Sequence, residues 1–363
     1  MFNDKKILIT GGSGSWGREL TAQLLEKFSP QEIRIYSRGE PKQVGMRRDF
    51  NDNPRLRFMI GDVRDSERLI ECSKGVDYIF HLAALKHVPV CENNPSEAVK
   101  TNILGTQNVI KAALENSVKK VIYISTDKAV EPLNFYGMTK SIGEKLIINA
   151  NNLTEETSFV CIRAGNVLGT SESVIPVFRK QIINANKITI TNGDMTRFMM
   201  NLKQAISLIF KASIDSVGGE IFVTYMPSMR IGDLAEVMIR ELGNNDTEIM
   251  MMGKRPGEKI HELLVSRDES ERAFKMGEYF MILPAVRVNR IRDHYNTNSL
   301  QKVEFSEFGS SNTKRLNQDE IKEMLDEENW LSKDRIDKDV LYQNKDYVIN
   351  LFKNIGWIKE GSL

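Results

Sequence analysis

A glycine-rich turn near the N-terminus restricts the fold more than any other part of the sequence. Residues 6–10 (KILIT) form a short apolar run, which is typical of a strand buried on both faces. The turn follows at once as TGGSGSWG, and the spacing of apolar residues then predicts a helix over residues 17–28. Such a turn brings backbone amides and a helix N-terminus close to a pyrophosphate, so we predict a dinucleotide site here. A flexible turn that binds nothing is the alternative.

Strands and helices go on alternating up to residue 165. Further strands are predicted at residues 32–36, 56–60, 77–82, 121–125 and 158–162. Helical patterns fill most of the intervening segments, notably 96–116 and 135–151. This order predicts the α/β fold class, with a doubly wound parallel Rossmann sheet over residues 1–165.

The pattern becomes irregular after this point. A smaller mixed α/β lobe, interleaved with the sheet domain, is predicted over residues 166–317. Its helices are predicted at residues 174–185, 201–215 and 231–242. Residues 294–317 have the composition of a surface loop. A charged helical extension is predicted over 318–363, with an amphipathic last helix at residues 345–354.

Composition excludes several classes of partner. The chain has 50 Lys and Arg against 49 Asp and Glu, whereas proteins that bind nucleic acid or membrane surfaces usually have strongly basic stretches. No apolar run approaches the ~20 residues of a membrane helix, and the N-terminus lacks the apolar core of a signal peptide. Three scattered cysteines do not suggest a disulfide framework or a metal site. We therefore expect a cytoplasmic protein with no nucleic-acid, membrane or metal partner.

The end of the second strand predicts which cofactor is bound. NAD-specific sites usually have a carboxylate there for the ribose 2′-hydroxyl, but this chain has Ser37 and Arg38. A guanidinium can pair with a 2′-phosphate and a serine can add a hydrogen bond, which favours NADP. The alternative is that Arg38 is an ordinary surface residue and that Glu40 binds the ribose. The predicted cofactor-binding residues are Gly11, Ser13, Gly14, Ser15, Trp16, Gly17, Ser37, Arg38, Asp62, Val63, Ala83, Ala84, Lys86, Tyr136 and Lys140.

The reactive side chains are predicted at the carboxyl end of the fifth strand, since parallel sheets bind ligands at that edge. Thr126, Asp127 and Lys128 follow this strand directly. Tyr136 and Lys140 begin the next helix and are four residues apart, hence on one face. A nearby ammonium stabilises a phenolate, so we expect Lys140 to lower the pKa of Tyr136 and to make it a base near neutral pH.

At these motifs the chain resembles the extended short-chain dehydrogenase/reductase family. The order expected of that family is kept by TGGSGSWG, YSRGE, GDVRD, STDKAV, YGMTK, RAGNVLG, MTRF and RPGEK. Within the family, the Asp127-Lys128 pair is similar to that of the inverting UDP-N-acetylglucosamine 4,6-dehydratases, which start pseudaminic acid and related polysaccharide pathways in bacteria. The resemblance covers residues 1–290.

The resemblance implies a reaction and a role for each reactive residue. Tyr136 would take the proton of the sugar O4 hydroxyl while a hydride leaves C4 for NADP, and Thr126 would bind O4. Asp127 would protonate the C6 hydroxyl as water leaves. Lys128 would remove the C5 proton, and return of a proton from the opposite face would invert C5. Lys128 can act as a base only if the site lowers its pKa, which Lys140 or the nicotinamide ring would do. The alternative is a purely structural ion pair between Lys128 and Asp127.

The resemblance also implies that the second lobe binds the UDP group. The residues it implies are Asn166, Val174, Thr189, Arg197, Arg255 and Glu258. Arg197 and Arg255 supply the charge that a diphosphate attracts, or else each forms a surface ion pair. Lys86 and His87 follow the fourth strand and face the same cleft, where His87 is either a sugar contact or acid, or an ordinary loop histidine. Asn102 is similar to the family's structural asparagine and is not expected to take part in catalysis.

We therefore predict an NADP-dependent UDP-N-acetylglucosamine 4,6-dehydratase that inverts C5 and gives UDP-2-acetamido-2,6-dideoxy-β-L-arabino-hex-4-ulose. A C5-retaining dehydratase or a UDP-hexose 4-epimerase is the alternative, since either shares everything except the role of Lys128. A non-catalytic NADP-binding sensor is a further alternative, disfavoured because Tyr136 and Lys140 are both present. The dimers and hexamers of the family imply a homo-oligomer.

Overall fold

Strands and helices alternate along the first part of the chain. The computed structural model describes residues 1–170, 173–286, 291, 294–295 and 300–332. Its strands are β1 Lys6–Thr10, β2 Glu32–Ser37, β3 Leu56–Ile60, β4 Tyr78–His81, β5 Lys120–Thr126, β6 Ser158–Ala164, β7 Asn166–Val167, β8 Lys187–Ile190, β9 Thr196–Met200, β10 Ile221–Thr224, β11 Ser228–Arg230, β12 Glu248–Met251, β13 Leu263–Val265, β14 Ala273–Met276, β15 Tyr279–Ile282 and β16 Phe308–Gly309. Its helices are α1 Ser15–Lys27, α2 Glu40–Asp49, α3 Ser66–Cys72, α4 Val88–Asn93, α5 Pro95–Ala98, α6 Gly105–Glu115, α7 Phe135–Ala150, α8 Val174–Ala185, α9 Leu202–Asp215, α10 Ile231–Leu242, α11 Arg267–Ser270 and α12 Gln318–Glu327.

A large central sheet has the strand order β14-β15-β10-β6-β5-β4-β1-β2-β3. Neighbouring strands from β3 to β10 run parallel, while β15 and β14 are added antiparallel at one edge. The chain changes its direction of winding between β1 and β4, and α/β sheets open a ligand crevice at such a switch point. The predicted α/β class and doubly wound parallel sheet are confirmed. The domain boundaries stay a prediction.

Apolar side chains on both faces of the sheet form the core. Leu8 packs in one cluster with α3, α6 and α7, whereas Ile7 and Ile9 pack in another with α1 and α9. Successive residues of a strand point to opposite faces, so a continuous apolar run such as that of β1 is buried on both sides. This explains why the strands could be predicted from short apolar runs.

The second lobe has a core of its own. Its small sheets are β11-β9-β7, β12-β8 and β13-β16. Apolar residues of α8, α10 and α12, among them Ile182, Leu234 and Leu325, pack into one cluster. The helices α8 and α10 have the predicted bounds, and α12 lies in the predicted C-terminal extension, whereas the helix predicted at 345–354 lies outside the described residues.

One prediction about secondary structure is confirmed with an irregularity, and another is wrong. Residues 95–115 are helical, as predicted over 96–116, but a π-helical segment at Val99–Leu104 lies between α5 and α6. Residues 294–317 are not simply a surface loop, since Phe308 and Ser310 are buried and β16 pairs with β13. The aromatic rings of Phe198 and Phe308, with centroids 5.3 Å apart, attach this segment to the second lobe.

Within the described residues, none of the helices combines the length and the apolar composition needed to cross a membrane. The same part of the chain contains no group of His, Cys, Asp and Glu side chains that could hold a metal ion.

Candidate active site

The turn after β1 has no room for side chains at three of its glycines, Gly11, Gly12 and Gly17. Gly11 has a φ of +68°, and a Cβ atom there would lie 2.9 Å from the backbone nitrogen of Ala83. A Cβ atom on Gly17 would lie 2.3 Å from the carbonyl oxygen of Gly12. Without side chains at these positions the turn leads into α1 at Ser15. A pyrophosphate can then approach the backbone of the turn and the N-terminus of the helix closely. The same turn carries Ser13, Gly14 and Trp16.

The end of β2 combines a fixed serine with an exposed arginine. Ser13 Oγ donates a hydrogen bond of 2.8 Å to Ser37 Oγ. The Arg38 side chain is 56% exposed, and its Nη1 atom lies 3.8 Å from Asp62 Oδ2. Glu40, the first residue of α2, is exposed as well. The structure is therefore compatible with Arg38 and with Glu40 as the residue that binds the ribose.

The end of β4 is held by Asn102. Leu85 N donates to Asn102 Oδ1 (2.8 Å), and Asn102 Nδ2 donates to Leu85 O and to Thr139 Oγ1, each at 2.9 Å. Asn102 thus connects the π-helical segment, the loop after β4 and helix α7. The other predicted residues at this edge are Val63, Ala84, Lys86 and His87, of which Lys86 is exposed and Val63 is buried.

A buried ion pair lies at the end of β5. Asp127 is fully buried, and its Oδ1 atom accepts hydrogen bonds from Thr126 Oγ1 (3.0 Å) and Lys128 Nζ (2.9 Å). Lys128 Nζ also lies 3.6 Å from Glu262 Oε1. Burial lowers the pKa of Lys128, but the charges of Asp127 and Glu262 outweigh it and hold this pKa above its ordinary value. A lowered pKa, the condition stated for Lys128 to act as a base, is therefore not met while this ion pair is intact.

Tyr136 lies beside this pair and is only 8% exposed. Burial raises the pKa of its phenol to about 12, against the opposing effects of the Lys128 charge and a hydrogen bond with Thr126. Lys140 is directed elsewhere, since its Nζ donates to Ile124 O at 2.7 Å. Burial lowers the Lys140 pKa to about 7. The cation that acts most strongly on the phenol is thus Lys128, where the sequence led us to expect Lys140.

Three of the predicted UDP-binding residues, Arg197, Arg255 and Glu258, have hydrogen-bond partners within the protein. Arg197 lies beside the ion pair, but its guanidinium donates to the carbonyl oxygens of Thr196 (2.7 Å), Lys259 (3.0 Å) and Ile260 (3.1 Å). Arg255 and Glu258 belong to a turn in which Arg255 N donates to Glu258 Oε2. The binding of a diphosphate by these arginines stays a prediction.

The turn that contains Arg255 and Glu258 contacts the reactive helix. Asn134 caps α7 and donates through Nδ2 to Gly257 O at 3.0 Å. Further away, the Thr189 hydroxyl accepts a hydrogen bond of 2.7 Å from Gln181 Nε2. Asn166 and Val174 are the first residues of β7 and α8, and their contacts with the diphosphate and the uridine, respectively, stay predictions.

Glu262 is the site residue that the sequence analysis missed. It is 3% exposed and lies close to both Lys128 and Arg197. The only available signal was a carboxylate that follows RPGEK closely and directly precedes the apolar run LLV. That pattern is common in proteins, so it did not single out this residue.

Comparisons with known proteins identify relatives of this chain. Residues 7–284 match the family described as polysaccharide biosynthesis protein. The chain is 42% identical to the UDP-N-acetylglucosamine 4,6-dehydratase (inverting) of Campylobacter jejuni, over 90% of this chain and 98% of that protein. It is also 42% identical to the UDP-glucose 4-epimerase of Rickettsia rickettsii, over 90% of this chain and 96% of the relative. Among solved structures, Pen from Bacillus thuringiensis superposes with a TM-score of 0.83 at 39% identity, covering 90% of this chain and 99% of Pen.

Proposed function

Because this chain belongs to the polysaccharide biosynthesis protein family, we propose that it is a UDP-N-acetylglucosamine 4,6-dehydratase that inverts C5 and uses NADP. The observation that carries the proposal is the buried ion pair of Asp127 and Lys128, joined at 2.9 Å beside Tyr136. An acid, a base and a phenol are the three groups that oxidation at C4 followed by loss of water requires.

The residues at the switch point fit a dinucleotide. The turn after β1 cannot accommodate a Cβ atom at Gly11 or Gly17, which leaves its backbone open to a pyrophosphate. NADP is favoured over NAD because Arg38 extends an exposed guanidinium next to Ser37, where NAD-binding proteins usually have a carboxylate. When bound between this turn and the end of β4, the cofactor would supply a hydride acceptor for C4 of the sugar and, once reduced, a hydride donor for C6.

Tyr136 accepts the proton of the sugar O4 hydroxyl, and Thr126 binds O4. The phenol has a pKa of about 12 because it is buried, so it loses its proton readily only where positive charge stabilises the phenolate. Lys128 supplies that charge in this arrangement. Tyr136 is thus a base whose strength depends on the adjoining ion pair.

Asp127 and Lys128 exchange one proton to become reactive. Transfer from Lys128 Nζ to Asp127 Oδ1, along their 2.9 Å hydrogen bond, converts the ion pair into a neutral amine and a carboxylic acid. The amine takes the C5 proton, the electron pair of that C–H bond forms the C5–C6 double bond, and the C6–O bond breaks as Asp127 protonates the departing oxygen. One water leaves and the ion pair is restored. As a hydride adds to C6, the electron pair of the C5–C6 double bond takes up a solvent-derived proton on the opposite face of C5, which inverts that carbon.

A UDP-hexose 4-epimerase is the second candidate, because the Rickettsia relatives with that name are as similar to the chain as the Campylobacter dehydratase is. An epimerase needs the hydride and the proton of O4, but it has no use for an acid at C6 or a base at C5. The ion pair of Asp127 and Lys128 therefore favours the dehydratase.

Incubation of the purified protein with NADP and UDP-N-acetylglucosamine in deuterium oxide tests the proposal. We expect a nucleotide sugar that has lost one water, carries deuterium at C5 and has the L-arabino configuration by proton NMR. The Lys128→Met variant is expected to leave C5 undeuterated. An unchanged mass with inverted C4 identifies an epimerase, and loss of water with retained C5 identifies a retaining dehydratase; either result contradicts the proposal.

A further inference from the structure

Glu262 places a second carboxylate next to the reactive lysine. Its Oε1 atom lies 3.6 Å from Lys128 Nζ and 3.8 Å from Arg197 Nε. Its Oε2 atom is buried and has no hydrogen-bond partner among the described residues. A buried carboxylate with an unused oxygen is costly unless a nearby cation stabilises it, which makes Lys128 and Arg197 its natural counter-ions.

The backbone fixes the position of Glu262 independently of Lys128. Glu262 N donates to Ser310 Oγ at 2.9 Å, and Ser310 N donates to Glu262 O at 2.8 Å. Ser310 is itself fully buried, and its hydroxyl shares a 2.7 Å hydrogen bond with Thr196 Oγ1. The backbone of Glu262 is therefore fixed without Lys128, and the buried side chain starts from a defined position next to the lysine.

Glu262 has a different task from Asp127, although both face the same ammonium. The titratable and charged groups around Lys128 are Asp127, Tyr136, Arg197, Lys259 and Glu262. In the proposed reaction Asp127 takes up a proton and loses its charge. Glu262 takes up no proton in this reaction, so its negative charge still faces Lys128 when Lys128 becomes an ammonium again.

We propose that Glu262 is a positioning residue of the dehydratase reaction, acting through Lys128. Its carboxylate, 3.6 Å from Lys128 Nζ, orients the Lys128 side chain electrostatically and stabilises the positive charge that forms on Lys128 as the C5 proton arrives. This inference rests on the proposed function.

The Glu262→Gln variant tests the inference through a pH profile. The proposed reaction starts from the ion pair, so loss of the Lys128 proton at high pH sets the basic limb of the kcat profile. Removal of the Glu262 charge lowers the pKa of Lys128, and this limb is therefore expected to move to lower pH by about 1 to 3 units. Loss of the fixed contact is expected to reduce kcat about 10- to 100-fold, with little change in KM for UDP-N-acetylglucosamine. Glu262→Asp, which keeps the charge, is expected to retain the basic limb of the unmodified enzyme and part of the lost kcat.

Glu241→Gln is the matched control, because it removes the same charge from a carboxylate paired with Lys322 far from the site, and it is expected to change neither constant. A rise in KM with an unmoved basic limb overturns the inference, since Glu262 then acts only through Arg197. A lower kcat with an unmoved limb in Glu262→Gln also overturns it. If the Glu262→Gln variant does not fold, an unchanged kcat in Glu262→Asp also overturns the inference. The product made by the unmodified enzyme decides the proposed function separately.

Discussion

Lys128 precedes the helix that carries Tyr136 and Lys140 lies on it, and their surroundings give the two lysines opposite properties. Lys128 faces two carboxylates, which keep its pKa above the ordinary value. Lys140 donates to a backbone carbonyl and lies 3.9 Å from the centroid of the Tyr123 ring, and burial lowers its pKa to about 7. At neutral pH the resting form of Lys128 is therefore the cation, whereas Lys140 carries its charge only part of the time. Identical side chains thus differ in role because of what surrounds them.

Arg38 provides a prediction at the scale of one side chain. If its exposed guanidinium binds the 2′-phosphate, Arg38→Ala removes a charge-assisted hydrogen bond and should weaken NADP binding roughly 10- to 100-fold, with little effect on NAD. Isothermal titration with each cofactor measures this difference. Arg57→Ala is the control, because Arg57 is 62% exposed on β3 and lies 3.8 Å from Glu32. Equal losses of NAD and NADP in Arg38→Ala would show that the 2′-phosphate is bound by other residues.

At the scale of elements, the turn that carries Lys128 and the helix that carries Tyr136 form one unit. Gly137 in the first turn of α7 packs directly on this turn, and a Cβ atom there would lie 2.2 Å from the carbonyl oxygen of Lys128. Backbone atoms cannot yield as a flexible side chain does. The close packing of α7 on the turn therefore fixes the position of both reactive groups.

Gly137→Ala should consequently disturb catalysis more than it disturbs the fold. A displacement of about 1 Å between the turn and α7 is expected to reduce kcat about 100-fold, while the far-UV circular dichroism spectrum stays unchanged. Gly193→Ala is the matched control, since the nearest atom to its Cβ would lie at an ordinary 3.9 Å. Full activity of Gly137→Ala would mean that the turn and the helix move freely with respect to each other.

The sequence predicts elements well where one local signal decides them. Strand β1 is an apolar run and α8 has an amphipathic pattern, and both have the predicted bounds. The π-helical segment has no such local signal, and its Asn102 side chain bonds to Leu85 from another part of the chain. Ser310 and Glu262 were missed for the same reason: 48 residues separate them in sequence, and only the folded chain makes them neighbours.

At the scale of the whole molecule, one buried arginine joins the sheet to the second lobe. Arg163 of β6 is 1% exposed. Its guanidinium forms paired hydrogen bonds with Glu144 of α7 and Glu269 of α11, and it donates to Leu264 O of β13 at 2.8 Å. A single side chain therefore connects the central sheet, the helix that carries Tyr136 and the strand that follows Glu262. Loss of either carboxylate leaves buried charge uncompensated.

Glu269→Gln is expected to lower the free energy of unfolding by about 3–5 kcal/mol near neutral pH, the usual cost of breaking a buried ion pair. Although burial alone would raise it, the Arg163 charge holds the pKa of Glu269 at about 2, against an ordinary 4.5. A group whose pKa is lowered by folding stabilises the protein above its ordinary pKa, and this stabilisation disappears as the pH falls towards the lowered value. The difference between the variant and the unmodified chain should therefore shrink below about pH 4.5, as urea unfolding between about pH 7 and about pH 3.5 would measure. Glu320→Gln, which alters an exposed carboxylate paired with Lys314 and keeps the helix cap, should leave the unfolding midpoint unchanged. A Glu269→Gln deficit that stays constant with pH would assign the stabilisation to packing rather than to charge.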